Sequence, residues 1–257
     1  MSVVDIKGLT KRFDGGTVAL EGIDLSIEER EFISLIGPSG CGKSTLLRII
    51  GDLIQPTKGT VQVNGKSAAQ ARADRDYGIV FQDAVLYNWR SVAKNVALPL
   101  ELAGWSRERR QKRVAEMLDL VELHGFEDHH PWQLSGGMQQ RVAIARALSF
   151  EPALLLMDEP FGALDEMTRE RMNAELLGIW EQCGSTVVFV THSIAEAVFL
   201  STRIVVMSAR PGRISRVIPV DLPQPRGTAT REDPRFFELA TEVREALHLG
   251  GPLEVPA

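Results

Sequence analysis

The chain has 257 residues, 44% of them hydrophobic and 25% charged, with 29 basic and 34 acidic side chains for a net charge of −5. That is the composition of a globular protein long enough for one large or two modest domains, and its charge gives no electrostatic case for nucleic acid as the main partner. No apolar run approaches the roughly 18 residues of a membrane span, the opening Met1–Asp5 lacks the regions of a secretory leader, and Cys41 and Cys183 do not make a disulfide framework, so a reducing cytosol is the expected compartment.

In chain order, Val3–Leu9 alternates like a strand, Phe13 and the turn Asp14-Gly15-Gly16 follow, and Ala19–Ile27 resumes the alternation with Ile23, Leu25 and Ile27 on one face. Glu31–Ile36 is a strand that feeds a glycine-rich turn, and Leu46–Ile50 continues at helical spacing. Gln55–Gly59 reads as a turn, and Thr60–Val63 as a short strand closed by the hairpin signal Asn64-Gly65. Tyr77–Phe81 is a short apolar strand ending at Gln82. From Val92 to about Leu123 the pattern is helical, with Val114, Met117, Leu118 and Val121 on one face and Arg107–Arg113 as a solvated charged flank interrupted by Glu108. His129-His130 shows no metal-ligand spacing and reads as surface. Ser135 is placed to cap a helix that runs through Ala147. Then come a buried strand over Ala153–Asp158, a helix over Glu166–Trp180, strands over Thr186–Val190 and Arg203–Met207 flanking a helix over Ile194–Leu200, and a strand over Ile214–Val220. A proline-rich spacer at Leu222–Arg226, a helix over Asp233–Leu247 and a frayed end at Pro252–Ala257 complete the chain.

The chemistry concentrates where apolar strands end. Gly37-Pro38-Ser39-Gly40-Cys41-Gly42-Lys43-Ser44 matches G-x-x-x-x-G-K-[ST], with a strand before it and a helix after it. Glycines let the backbone curl so that its N–H groups face a phosphate, and the helix adds its positive end. Lys43 is expected at the β- and γ-phosphates and Ser44 on Mg²⁺. Cys41 serves there as a small residue. Gln82, Asp158, Glu159 and His192 each close an apolar strand, the position where open α/β sheets bind ligands. Asp158 suits the metal shell, and Glu159 suits polarising an attacking water. Gln82 is expected to complete the metal shell or orient water, and His192 to touch the γ-phosphate. Leu134-Ser135-Gly136-Gly137 opens a second helix N-terminus able to hold an anion, which suggests that each triphosphate is sandwiched between two copies of the chain.

Together these motifs resemble the ATP-binding subunit of an ABC transporter, over nearly the whole chain: the phosphate loop Gly37–Thr45, Gln82, the signature Leu134–Met138, the strand Leu154–Asp158 with Glu159, Ala163-Leu164-Asp165, and His192. The resemblance implies an α/β fold: a P-loop NTPase core with a mostly parallel sheet, an antiparallel β subdomain and an inserted α-helical signature subdomain. It implies one domain over residues 1–257, with the core in 1–81 and 153–220, the helical part in about 83–150 and a C-terminal extension in 221–257. The cofactors implied are ATP and Mg²⁺. Phe13 would stack on adenine, Gly40, Gly42, Lys43, Ser44 and Thr45 would hold phosphates and metal, and Ser135, Gly136, Gly137 and Asp165 would serve the nucleotide of the other copy in a head-to-tail dimer. The runs Phe81–Val92, Met157–Asp165 and Ser208–Ile214 look like the nitrate/sulfonate/taurine importer group. That implies an ATPase on the cytoplasmic face of the cell membrane, working with two permease subunits and, indirectly, a periplasmic or extracellular solute-binding protein. Phe13 where tyrosine is common, Met138 for glutamine and Gly162 for serine depart from the family pattern. Two rival readings use the same motifs. A soluble ATPase of this family acting on DNA or ribosomes would need a long coiled coil or a second ATPase domain, and a nucleotide-binding regulator without turnover would not need Glu159.

Overall fold

The computed structural model describes residues 2–162 and 164–249; Ala163 and the frayed end expected at Pro252–Ala257 lie outside the described residues. In chain order the elements are β1 (Ser2–Arg12), β2 (Val18–Glu28), β3 (Phe32–Ile36), α1 (Lys43–Ile50), β4 (Lys58–Val63), β5 (Lys66–Ser67), α2 (Ala68–Asp74), β6 (Tyr77–Val80), α3 (Val92–Leu102), α4 (Arg107–Leu120), α5 (Gly136–Leu148), β7 (Leu154–Asp158), α6 (Glu166–Cys183), β8 (Thr186–Val190), α7 (Ile194–Leu200), β9 (Arg203–Met207), β10 (Ile214–Pro219) and α8 (Pro234–Leu249). They divide into two units, one formed by the residues up to Asp76 together with those from Thr186 onward, the other by Tyr77–Ser185.

The first unit holds an antiparallel sheet in the order β2-β1-β4-β5 and a run of strands in the order β10-β9-β3-β8. β3 pairs in parallel with β8 on one side and β9 on the other, while β10 is antiparallel to β9. Every residue of β3 and β8 is buried, which explains their unbroken apolar runs: a strand covered on both faces has no solvent side to make polar. Asn64 and Gly65 both take positive φ, 51° and 72°, and close the β4–β5 hairpin as their dipeptide predicts. α2 was not legible: only Ala71 is buried along it, so it has no apolar stripe.

α7 packs against α8, and its C-terminal carbonyls are met by a side chain from the spacer. Arg226, 7% exposed, donates to the carbonyls of Phe199 at 2.9 Å and Ser201 at 2.8 Å through Nη1, which also reaches Val198 O at 3.3 Å; Nη2 holds Leu222 O at 3.2 Å. Arg231 lies over the Phe199 ring, 4.3 Å from its centroid. The proline-rich spacer is thus fastened to the end of a helix rather than free.

The second unit contains the parallel pair β6–β7 with α3, α4, α5 and α6. The helical pattern from Val92 resolves into α3 and α4. The turn between them includes Gly104 at φ +71°, and Ser106 then caps α4 by accepting from Arg109 N. Arg113, expected on a solvated face, instead donates to the last carbonyls of α5, 2.9 Å to Ser149 O and 3.3 Å to Leu148 O.

Replacing Arg226 by methionine keeps volume but strips four carbonyls of their donor. Urea denaturation should show a loss of about 2–3 kcal/mol, the scale of buried hydrogen bonds to a charged group.

Candidate active site

In the first unit, the phosphate loop is shaped by close approach as much as by glycine. A Cβ on Gly37 would lie 2.8 Å from both Cys41 Sγ and Met207 O. Gly40 and Gly42 take φ of 72° and 108°, a region that costs other residues strain. Cys41 N closes the curl on Pro38 O at 3.2 Å. α1 follows Gly42, an N-cap with no side chain of its own, and a helix N-terminus of that kind suits an anion. Lys43 is 6% exposed and its ammonium is turned into the loop, donating to Gly37 O at 2.8 Å and Pro38 O at 3.2 Å. Ser44 and Thr45 follow, half-buried, with Pro38 half-buried and Ser39 exposed at the rim.

Phe13 is 43% exposed in the β1–β2 turn, with the Lys11 ammonium 5.1 Å from its ring centroid. His192 is exposed at the end of β8, in a turn with a buried support. Thr191 accepts from Ser193 N at 2.9 Å and donates to the Glu196 carboxylate, while Ser193 Oγ accepts from Glu196 N at 3.3 Å to cap α7. Glu196 is itself buried at the first turn of α7.

In the second unit, Asp158 ends β7 at 6% exposure, and Glu159 follows with φ +47°, a strained value for a non-glycine residue. A Cβ on Gly162 would lie 3.4 Å from Gln82 Nε2 and 3.6 Å from Glu159 Oε2, so this turn brings Gln82 and Glu159 together. Gln140 donates to Phe81 O at 3.0 Å, and Arg146 donates to Ala84 O at 3.0 Å and Val85 O at 2.9 Å, fixing the segment around Gln82 from α5. Arg169 holds the turn after Glu159 through Leu164 O at 2.6 Å. Ser135 caps α5 by accepting from Met138 N at 3.3 Å, as its position predicts. Gly137 lies beside the start of α6, with its would-be Cβ 3.7 Å from Thr168 Cγ2. Asp165 caps α6 through Thr168 N at 3.0 Å, and that bond holds its carboxyl below the usual carboxylate range. His129 and His130 are half-buried: His130 stacks on Trp132 at 4.4 Å and its Nδ1 is 3.1 Å from Asn88 O, a packing role.

Gln82, Asp158, Glu159 and His192 stand out in the sequence because polar types closing apolar strands are wrong for a core, and the two helix starts stand out by a motif spacing and a serine N-cap. The supporting Gln140, Arg146, Arg169 and Glu196 were missed. They lie on helices and carry no local signal of the carbonyl or hydroxyl they reach.

Comparison with known proteins gives a consistent answer. The family model described as ABC transporter matches residues 20–162, more than half of the chain. An uncharacterized ABC transporter ATP-binding protein of Methanocaldococcus jannaschii is 51% identical, covering 94% of this chain and 90% of its own. A taurine import ATP-binding protein of Rhizobium johnstonii is 48% identical, covering 91% of each chain. Among solved structures, a dimeric post-hydrolysis state of an ATP-binding cassette bound to ADP and phosphate superposes with a TM-score of 0.74 at 39% identity, covering 87% of this chain and 99% of that one.

Burial raises the Cys41 thiol above the usual cysteine range, with the Lys43 charge opposing in part. Iodoacetamide should therefore label Cys41 more slowly than an ordinary thiol at pH 7, with the rate still climbing above pH 9; mass spectrometry of timed aliquots measures this.

Proposed function

The chain belongs to the ABC transporter family, and from that premise we propose how its residues divide the work of an ATP-hydrolysing subunit that energises solute import. The observation that carries this reading is the phosphate loop: two left-handed glycines, an uncapped α1 and a lysine ammonium drawn inside the curl. Such a loop offers inward N–H groups and one cation to a triphosphate.

The backbone from Gly37 to Thr45 and the Lys43 ammonium hold the phosphates, and Phe13 stacks on adenine. The oxygens of Ser44, Asp158 and Gln82 are hard donors suited to Mg²⁺. A Mg²⁺ held by these residues would supply charge neutralisation to the triphosphate. Glu159 accepts the proton of the attacking water, Gln82 orients that water, and His192 donates to the γ-phosphate as the bond to the leaving ADP breaks. Ser135, Gly136, Gly137 and Asp165 serve the nucleotide held by a second copy, so that ATP joins two chains head to tail and hydrolysis releases them.

No helix among the described residues is long and apolar enough to cross a membrane. In this reading the motion passes to two permease subunits. Asp83–Arg90 is the docking surface: Val85 and Trp89 expose 60% and 75% of their area there, more than isolated surface apolar residues require. The subunit sits at the cytoplasmic face of the membrane, and a periplasmic or extracellular binding protein delivers the solute to the permease. The relative named for taurine import and the importer-like runs around Phe81, Met157 and Ser208 support nitrate, a sulfonate, taurine or a related small solute.

Glu159→Gln should bind ATP, dimerise on size exclusion and lose about 10²–10⁴-fold in turnover, the usual worth of a general base. Lys43→Ala should weaken ATP binding by calorimetry. Undiminished turnover in the first variant, or undiminished affinity in the second, removes the assigned role.

A further inference from the structure

The loop between β9 and β10, residues 208–213, has no role in the scheme above, yet it is built against the phosphate loop. Its own shape is closed by Ser208 N donating to Arg213 O at 2.9 Å and by Arg213 N donating to Ser208 Oγ at 3.1 Å. Gly212 is then stitched to β2 from both sides: its N–H donates to Ala19 O at 2.9 Å and its carbonyl accepts from Glu21 N at 3.0 Å. Arg213 extends the same tie, its guanidinium 2.5 Å from the Glu21 carboxylate.

Anchored this way, the loop touches the phosphate loop at two successive peptides. Arg210 Nε donates to Gly40 O at 3.1 Å, and a Cβ on Gly40 would meet Arg210 Nη2 at 2.9 Å. Gly212 faces the next carbonyl so closely that any Cβ on it would collide with Cys41 O. Glycine is required at 212 by this approach alone, since its φ is not in the left-handed region.

Peptide planes are rigid. The Gly40 carbonyl shares its plane with the Cys41 N–H, and the Cys41 carbonyl shares its plane with the Gly42 N–H. Fixing the two carbonyls from outside the curl therefore keeps the Cys41 N–H on Pro38 O, the bond that closes the curl, and fixes the direction of the Gly42 N–H. The contact lies at the exposed rim of the loop, and the charge on the guanidinium makes it stronger than a neutral donor would. Orientation established before the ligand arrives does not have to be supplied by the ligand.

We propose that Arg210 and Gly212 are positioning residues of the triphosphate site, which hold Gly40, Cys41 and Gly42 in the anion-binding curl from a loop some 170 residues downstream. The inference rests on the phosphate-loop reading above.

The test uses the full chain, with ATP affinity from calorimetry and steady-state kinetics at several ATP concentrations. Arg210→Ala should weaken ATP binding about three- to tenfold, the net scale of one ordinary intramolecular hydrogen bond at an exposed site, with KM rising more than kcat falls. Arg210→Lys should recover part of that affinity. Gly212→Ala, checked for folding by circular dichroism, should weaken binding further. A merely structural role would lower the melting temperature and the active fraction while leaving the affinity of the folded fraction alone, and that result overturns the proposal. So does a fall in kcat with affinity unchanged. Lys43→Ala separates the two levels: unaltered affinity in that variant defeats the phosphate-loop reading, whereas weakened affinity there with unaltered affinity in Arg210→Ala defeats only this inference.

Discussion

The seat of the Lys43 ammonium is the constraint on which the first unit turns. A charge this deeply buried costs several kcal/mol unless it is hydrogen-bonded, and the loop answers it with its own carbonyls, Gly37 O at 2.8 Å and Pro38 O at 3.2 Å. Those carbonyls face inward only because the chain leaves β3 through Gly37, which no larger residue could replace against Cys41 Sγ and Met207 O. β3 in turn cannot shift, because β8 and β9 pair with it on both sides and its five side chains are all buried. The geometry that would grip a phosphate is thus the end of a chain of packing that starts in the sheet.

A common device recurs in the loops of both units: an arginine reaching one or more backbone carbonyls. Arg210 holds Gly40, Arg226 holds the end of α7, Arg146 holds Ala84 and Val85, and Arg169 holds Leu164. Guanidinium suits this task because its donors form a planar fork that can bind several oxygens at once. The device lets loops hold strained backbone. Val85 and Glu159, at φ +44° and +47°, both lie in segments tied down in this way.

Much of this was legible in the sequence, for physical reasons that differ by element. β8, α7 and β9 begin and end on the residues expected, because buried parallel strands make unbroken apolar runs with sharp polar ends. The N-terminus of α5 was legible because serine is a favoured N-cap ahead of a run at helical spacing. α2 was not, with a single buried residue to announce it. The arginine clamps were hidden for another reason. An arginine on a helix surface looks solvated until the distant carbonyl is known, and Arg113, which reads as part of a charged flank, reaches the end of α5. Candidate reacting groups are local and visible, whereas what steadies them is remote in sequence.

The position of β3 in the sheet has a consequence for how the molecule is made. Its neighbours are Val187–Val190 and Arg203–Val206, so the strand that carries the phosphate loop leaves the ribosome long before either flank exists. Pairings so remote in sequence are slow to form and leave apolar surface bare meanwhile. The stretch Tyr77–Ser185, by contrast, carries both partners of its β6–β7 pair within one uninterrupted segment. On the ribosome, Tyr77–Ser185 therefore has its strand pair in hand before β3 can meet either neighbour, and the phosphate loop waits for residues as late as Val206 to hold its strand in place.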